Sequence, residues 1–157
     1  MKHMKKVQQI SMTLLRIALG WVFFYAGIVK VIDPAWTSAG YLMRAETFTA
    51  LYAWFASPAI LPVVDFLNMW GLTLIGVSLI LGAFTRVSAI LGASMMLLYY
   101  FPVLVFPYPN ANAYLIDQHI VYALVLIYLS FSRAGMVYGC DRLLSSTRVP
   151  QWIRRMI

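Results

Sequence analysis

The chain is short of everything from which soluble redox and metal enzymes are built. It holds one cysteine, Cys140, and two histidines, His3 and His119. A single cysteine excludes an internal disulfide, a C-x-x-C redox pair and a cysteine-based zinc or iron–sulfur site within one chain. The two histidines fall on opposite sides of the topology derived below, which argues against a bis-histidine haem. No metal or haem is expected. Acidic residues are scarce too: five Asp and Glu stand against twelve Lys and Arg. Charged residues make up only 11% of the sequence, where soluble domains carry about a quarter.

What fills the chain is apolar. Hydrophobic residues make up 62% and the mean hydropathy is +0.80. A helix needs about 20 mostly apolar residues to cross the roughly 30 Å hydrocarbon core of a bilayer. The stretches 10–32, 66–84, 87–106 and 118–138 meet that requirement. They predict an all-α integral membrane protein, a four-helix antiparallel bundle forming a single membrane domain over 1–157. Lys2, Lys5 and Lys6 ahead of the uncharged 17–29 run have the outline of a cleavable leader. No small-x-small cleavage pattern follows Val29, so the segment is expected to stay as the first span.

Charge placement orients the bundle. With the N-terminus inside, Lys2, Lys5, Lys6, Arg16, Arg86, Arg133, Arg142, Arg148, Arg154 and Arg155 lie on the inner side against Asp141 alone. The outer side carries Lys30 and Arg44 against Asp33, Glu46, Asp65 and Asp117. Excess Lys and Arg near span ends marks the cytoplasmic face. The expectation is a multi-pass protein of the plasma (cytoplasmic) membrane with both termini cytoplasmic. The net charge of +7 is then a topology signal that also suits anionic lipid. Its division among termini and a short loop does not suit nucleic acid.

The connections differ in kind. "GAFTRVS" (82–88) reads as a tight inner turn, and "FPYPNANAYLIDQ" (106–118) as an outer loop, with Pro102 bending the end of span three. The 33–65 link is much longer than a hairpin needs. Within it, Phe48, Leu51, Tyr52 and Phe55 recur at i, i+3, i+4 and i+7, an apolar helical stripe. Trp36 and Trp54 are interface-seeking rings. The segment 45–56 is expected as a helix in the outer interface, either a plain anchor or a lid over the bundle. The tail "VPQWIRRMI" (148–157 with its preceding Arg) reads as an amphipathic anchor on the inner side.

Each span carries one small or polar stripe. In the first it is Arg16, Gly20, Phe23, Gly27 and Lys30; in the second Asn68, Gly71, Ile75, Ser78 and Gly82. The third offers Ser88, Gly92, Met95 and Tyr99, and the fourth His119, Tyr122, Leu126, Ser130 and Arg133. Small residues let helices approach closely in lipid, so these faces should meet inside the bundle. The two charges of span one could instead snorkel to the head groups. Because both lie on the glycine face, inward roles are expected. Lys30 would meet Asp33, Asp65, Asp117 and His119, and Arg16 would sit at an inner mouth near Ser88 and Ser130.

These residues carry a resemblance. "LLRIALGWVFFYAGIVKVIDPAW" resembles the opening of DoxX/DoxD-like membrane proteins, with an Arg, a Gly, an aromatic-rich G-x-x-K and an Asp-Pro turn. "WGLTLIGVSLILGAFTRVSAILGASMMLLYYF" is similar to their second and third helices, and "DQHIVYALVLIYLSFSRAGMVYGCDRLL" to their fourth. The likeness runs over roughly 12–144. Many relatives carry an acidic residue near the start of helix two, where this chain has Asn68, which cannot relay a proton.

Some members of that family resemble the small membrane subunit of thiosulfate:quinone oxidoreductase or accompany a terminal quinol oxidase. The resemblance therefore implies quinone-linked redox chemistry and a quinone pocket within the bundle. The family positions matched here are Arg16, Gly27, Lys30, Asp33, Arg86 and His119. Aromatic walls from Phe23, Phe24, Tyr25, Tyr99 and Tyr122 would line the pocket, since such sites are mostly apolar with a few placed polar groups. His119 and Asp117 are the expected catalytic pair, because histidine suits proton transfer near neutral pH. Arg16, Phe23, Gly27, Lys30, Asp33, Asp65, Arg86, Tyr99 and Tyr122 are the expected binding set. Besides the bilayer, the partner would be a redox subunit or a second copy of the chain. Two other readings are a non-catalytic assembly or anchoring subunit, and a small transporter or channel. The latter has less to recommend it, since the broken-helix pairs of many transporters are missing.

Overall fold

The computed structural model describes residues 2–146 and is helical throughout its long segments. In order these are α1 (Lys2–Val31), α2 (Ala39–Leu42), α3 (Thr49–Phe55), α4 (Leu61–Leu81), α5 (Thr85–Val103) and α6 (Gln118–Phe131). A 3-10 turn (Ala134–Met136) and α7 (Cys140–Ser146) follow. Windows in α1, α4 and α5 are long and apolar enough to cross a bilayer. The chain is thus a helical membrane bundle. The anchor expected at 148–157 lies outside the described residues.

Glycine decides how α1 and α4 meet. The α1 stripe faces inward: Arg16, Gly20, Phe23 and Gly27 are buried and Lys30 is half-buried. A methyl group on Gly20 would lie 2.8 Å from the Ile80 backbone nitrogen, and one on Gly27 would strike the Thr73 backbone. From the other side, Gly76 lies against the Phe24 backbone. Association in lipid depends on such close packing, because lipid tails are as apolar as a leucine face. Helix α4 therefore uses two faces. The stripe read from its sequence turns towards α5, with Gly71 against Met95, while Thr73, Gly76 and Ile80 form a second face towards α1.

Helices α5 and α6 form the other close pair, and α4 joins the two pairs. Gly92 marks the centre. A methyl there would be 3.2 Å from Leu126, 3.3 Å from Phe23 and 3.4 Å from Ile75, one residue from each other long helix. Leu19, Leu72, Leu79 and Leu129 complete the buried core around it.

Three boundaries differ from the sequence expectation. The fourth span ends at Phe131 rather than 138: Arg133 adopts a left-handed conformation (φ 49°) and the chain turns back. Its 14 residues cover about 21 Å, short of the full hydrocarbon thickness. The helix expected over 45–56 is present but shorter, Thr49–Phe55, because Phe48 is left-handed (φ 52°) and helix starts only at Thr49. Helix α4 begins at Leu61, earlier than 66, with Pro62 in its first turn, where a missing N–H costs nothing.

The turn-back after α6 has a physical cause in Arg16. That residue is 1% exposed, and its guanidinium donates to the carbonyls of Ala134 (2.7 Å), Val137 (3.3 Å) and Tyr138 (3.3 Å). A buried guanidinium needs acceptors for its N–H groups, and the 134–138 segment wraps to supply them. Buried Asp141 completes the same end. Its carboxylate accepts from the Phe84 N–H (2.6 Å) and the Thr85 N–H (3.1 Å), and its own N–H donates to Gly82 O at 2.8 Å. It thereby caps the positive end of α5 from a distant part of the chain, where Phe84 has no capping side chain. Arg16 is a structural clamp and not the rim of a mouth. Ser88 bonds Ser78 (2.6 Å) instead, and Arg133 is exposed.

Candidate functional site

The opposite end of α1 carries Lys30, about 21 Å along the helix from Arg16. In its last turn the side chain passes inward, and its ammonium lies 5.0 Å from the Trp36 ring centre and 5.5 Å from that of Tyr99. The expectation that it pairs with carboxylates is corrected here. Among the described residues the one contact within 4.0 Å between a basic and an acidic side chain joins His119 and Asp117, and Lys30 has no carboxylate partner. Ring faces stand in their place, each attracting a cation by about 0.5–2 kcal/mol depending on desolvation.

The carboxylates have other tasks. Asp117 caps α6, accepting from His119 N (2.9 Å) and Ile120 N (3.3 Å), and its second oxygen meets His119 Nδ1 at 2.6 Å. One residue thus ends the outer loop, starts a helix and orients an imidazole. With Nδ1 engaged, Nε2 has no protein partner among the described residues. Asp65 accepts from Thr37 Oγ1 (2.8 Å), Ser38 N (2.8 Å) and Ser38 Oγ (2.5 Å), tying the 37–38 turn to α4. Asp33 is exposed and closes only its own turn, onto Ala35 N.

Between these elements lies a cavity of about 340 Å³ lined by Lys30, Trp36, Thr37, Ser38, Tyr41, Asn68, Tyr99 and His119. A smaller void of about 180 Å³ shares Lys30, Tyr99 and His119 and continues along Phe23, Ala26 and Tyr122. Tyr99 organises the wall. Its hydroxyl donates to Asn68 Oδ1, its ring lies 6.2 Å from the rings of both Tyr41 and His119, and its carbonyl accepts the Tyr41 hydroxyl at 2.5 Å. Burial, with smaller contributions from the charges of Tyr52 and Asp117, pushes the Tyr41 phenol up to about 12. It remains a donor at any ordinary pH.

The roof over this end is fastened. Besides Tyr41, the Glu46 N–H donates to Pro102 O (2.9 Å), Thr47 Oγ1 donates to Phe101 O, and the Tyr52 hydroxyl donates to Leu98 O (3.0 Å). The segment before α4 is tied to the last two turns of α5 at these points.

Of the binding and catalytic residues expected from sequence, Lys30, Tyr99, His119, Phe23 and Tyr122 line the two voids, and Asp117 stands directly behind His119. Asp65 supports the wall through Thr37 and Ser38. Gly27 serves the α1–α4 contact. Arg16 and Arg86, at the start of α5, belong to the other end of the bundle. Sequence reasoning left out Trp36, Tyr41 and Asn68 as lining residues. Asn68 was on the inward stripe, a sufficient signal. Trp36 and Tyr41 sit in an irregular link whose path no periodicity reveals.

A family model described as DoxX matches residues 11–105. That range includes Lys30, Trp36, Tyr41, Asn68 and Tyr99, while α6 with His119 lies beyond it. Neither a curated protein nor a solved structure matches the chain.

Proposed function

The chain belongs to the DoxX family, and from that premise we propose that it is a membrane subunit of quinone-linked respiratory redox chemistry, holding a quinone ring in the Lys30–His119 cavity. One observation carries the reading. A lysine with no carboxylate partner and an imidazole held by a carboxylate share the wall of a single aromatic-lined cavity. Its 340 Å³ falls at the lower end of the roughly 300–1,000 Å³ usual for small-molecule sites.

The donor set suits this group. Lys30 offers N–H donors to one ring oxygen, and His119 presents Nε2 to the other, with Asp117 holding the opposite side of the imidazole. Trp36 and Tyr99 supply apolar ring faces. When bound, a quinone supplies two-electron, two-proton chemistry. The protein's contribution is to orient the ring and to hold a proton at His119 Nε2. A redox partner subunit delivers or receives the electrons in this proposal.

The proposal includes an orientation: the Lys30 end outward, the Arg16 end at the cytoplasmic face of the plasma membrane. The concentration of Lys and Arg towards the Arg16 end supports it. Transport draws less support, because Asp65 and Asp117 are committed to hydrogen bonds inside the protein and Arg16 is sealed beneath the 134–138 segment.

The test is equilibrium binding of a tail-less benzoquinol to purified wild type, Lys30→Ala and His119→Ala. Loss of one hydrogen bond to a charged or ring donor should weaken binding about tenfold in each variant. Equal affinity in all three would remove the site.

A further inference from the structure

We propose that the ligand of the Lys30–His119 cavity is an amphiphile that enters sideways from the bilayer, its apolar tail lying in a seam between α1 and α6. The proposal rests on the quinone reading for the ring and adds what the tail does: the substrate class is a membrane-borne quinone with an apolar chain.

The argument begins with packing. Glycines draw α1 onto α4, and α6 packs on α5, so that α1 and α6 meet at only a few points. A bundle joined in this way closes along one side and stays parted along the other. The smaller void lies in that parting, between Phe23 and Ala26 of α1 and Tyr122 of α6, with Met96 behind. Val22, at its edge, is 41% exposed, so the seam reaches the lipid-facing surface.

The two voids differ in chemistry but share a wall. The larger presents Thr37, Ser38 and Asn68, and the smaller is walled mainly by apolar and aromatic side chains, with Gln118 at one end. Lys30, Tyr99 and His119 belong to both. A small water-soluble ligand would use only the first. A polar ring with an apolar chain uses both, with the ring at the shared residues and the chain running down α1 from Lys30 towards Val22, about 12 Å of helix. Because lipid is as apolar as the seam, the chain gains little affinity by moving into it. Its effect is to aim the ring, and blocking the seam therefore acts by exclusion.

The experiment uses the full chain in lipid nanodiscs, with ligand retention read by native mass spectrometry. The probes are a decyl-tailed benzoquinone and its tail-less counterpart. Ala26→Trp and Val22→Trp fill the seam from two positions, and Leu74→Trp, at a position 61% exposed on α4, is the control. The seam variants should hold the tailed probe about tenfold more weakly and the tail-less probe as wild type does, with the control unchanged for both. Undiminished tailed binding in both seam variants would overturn the portal while leaving the ring site standing. Loss of the tail-less probe in both would overturn the division between ring and tail. Failure of the tailed probe alone to bind wild type would overturn this inference and leave the ring site standing. Failure of the tail-less probe alone would overturn the division between ring and tail. Failure of both would remove the quinone reading and this inference with it.

Discussion

The Tyr52 hydroxyl donates to the carbonyl oxygen of Leu98 at 3.0 Å, and that oxygen is the one Pro102 leaves unserved. In a regular helix the N–H of residue 102 would bond the carbonyl of residue 98, but proline has no N–H. The interfacial segment supplies the missing donor. Tyr52→Phe should therefore destabilise the protein by about 1 kcal/mol. In a Pro102→Ala background, where the backbone can serve Leu98 itself, the same change should have little effect. A double-mutant cycle from unfolding in mixed micelles measures the coupling. Equal losses in the two backgrounds would contradict the account.

Arg16 donates to three carbonyls of the 134–138 segment. Arg16→Leu removes three hydrogen bonds from a charged donor, each typically worth roughly 1.5–3 kcal/mol, while Ala134 O keeps the Val137 N–H and Val137 O keeps the Thr13 hydroxyl. Asp141→Asn removes the negative charge at the start of α5 and should cost about 1 kcal/mol. Thermal unfolding should rank Arg16→Leu well below Asp141→Asn, and both below wild type. Neither substitution should alter ligand binding at the far end of the bundle.

Gly27→Ala and Gly76→Ala should separate α1 from α4, since a methyl at either meets backbone that cannot yield cheaply. Losses of about 1–3 kcal/mol are expected from overpacking of this kind. Gly40 has open space around it and a helical backbone in α2. Gly40→Ala should be neutral or stabilising by up to about 1 kcal/mol. Stability measurements on the three variants check the contrast.

Tyr41 provides a pH test. Its phenol ionises near 12 in the folded protein, against an ordinary value of 10.0. Between those values the unfolded chain releases a proton that the folded chain keeps, so stability falls as pH rises through the window. Below pH 10 the contribution is fully present. The ring is 37% exposed, which keeps the effect moderate. Thermal midpoints of wild type should fall more steeply between pH 10 and pH 12 than those of Tyr41→Phe.

Much of the architecture was already written in the order of residues. Apolar length and low charge determine a helical membrane protein, and the spacing of Arg16, Gly20, Phe23, Gly27 and Lys30 determines which face of α1 turns inward. These are local properties, set within a few turns of one helix. Contacts across the chain are not local. Only the tertiary structure decided that Arg16 would find its acceptors 118 or more residues away, that α6 would stop at Phe131 to bring them there, and that Lys30 would rest on Trp36 and Tyr99 instead of a carboxylate. The reason is that Asp65 and Asp117 each satisfy nearer donors first, and the partners left for Lys30 depend on how two separately packed helix pairs close against one another.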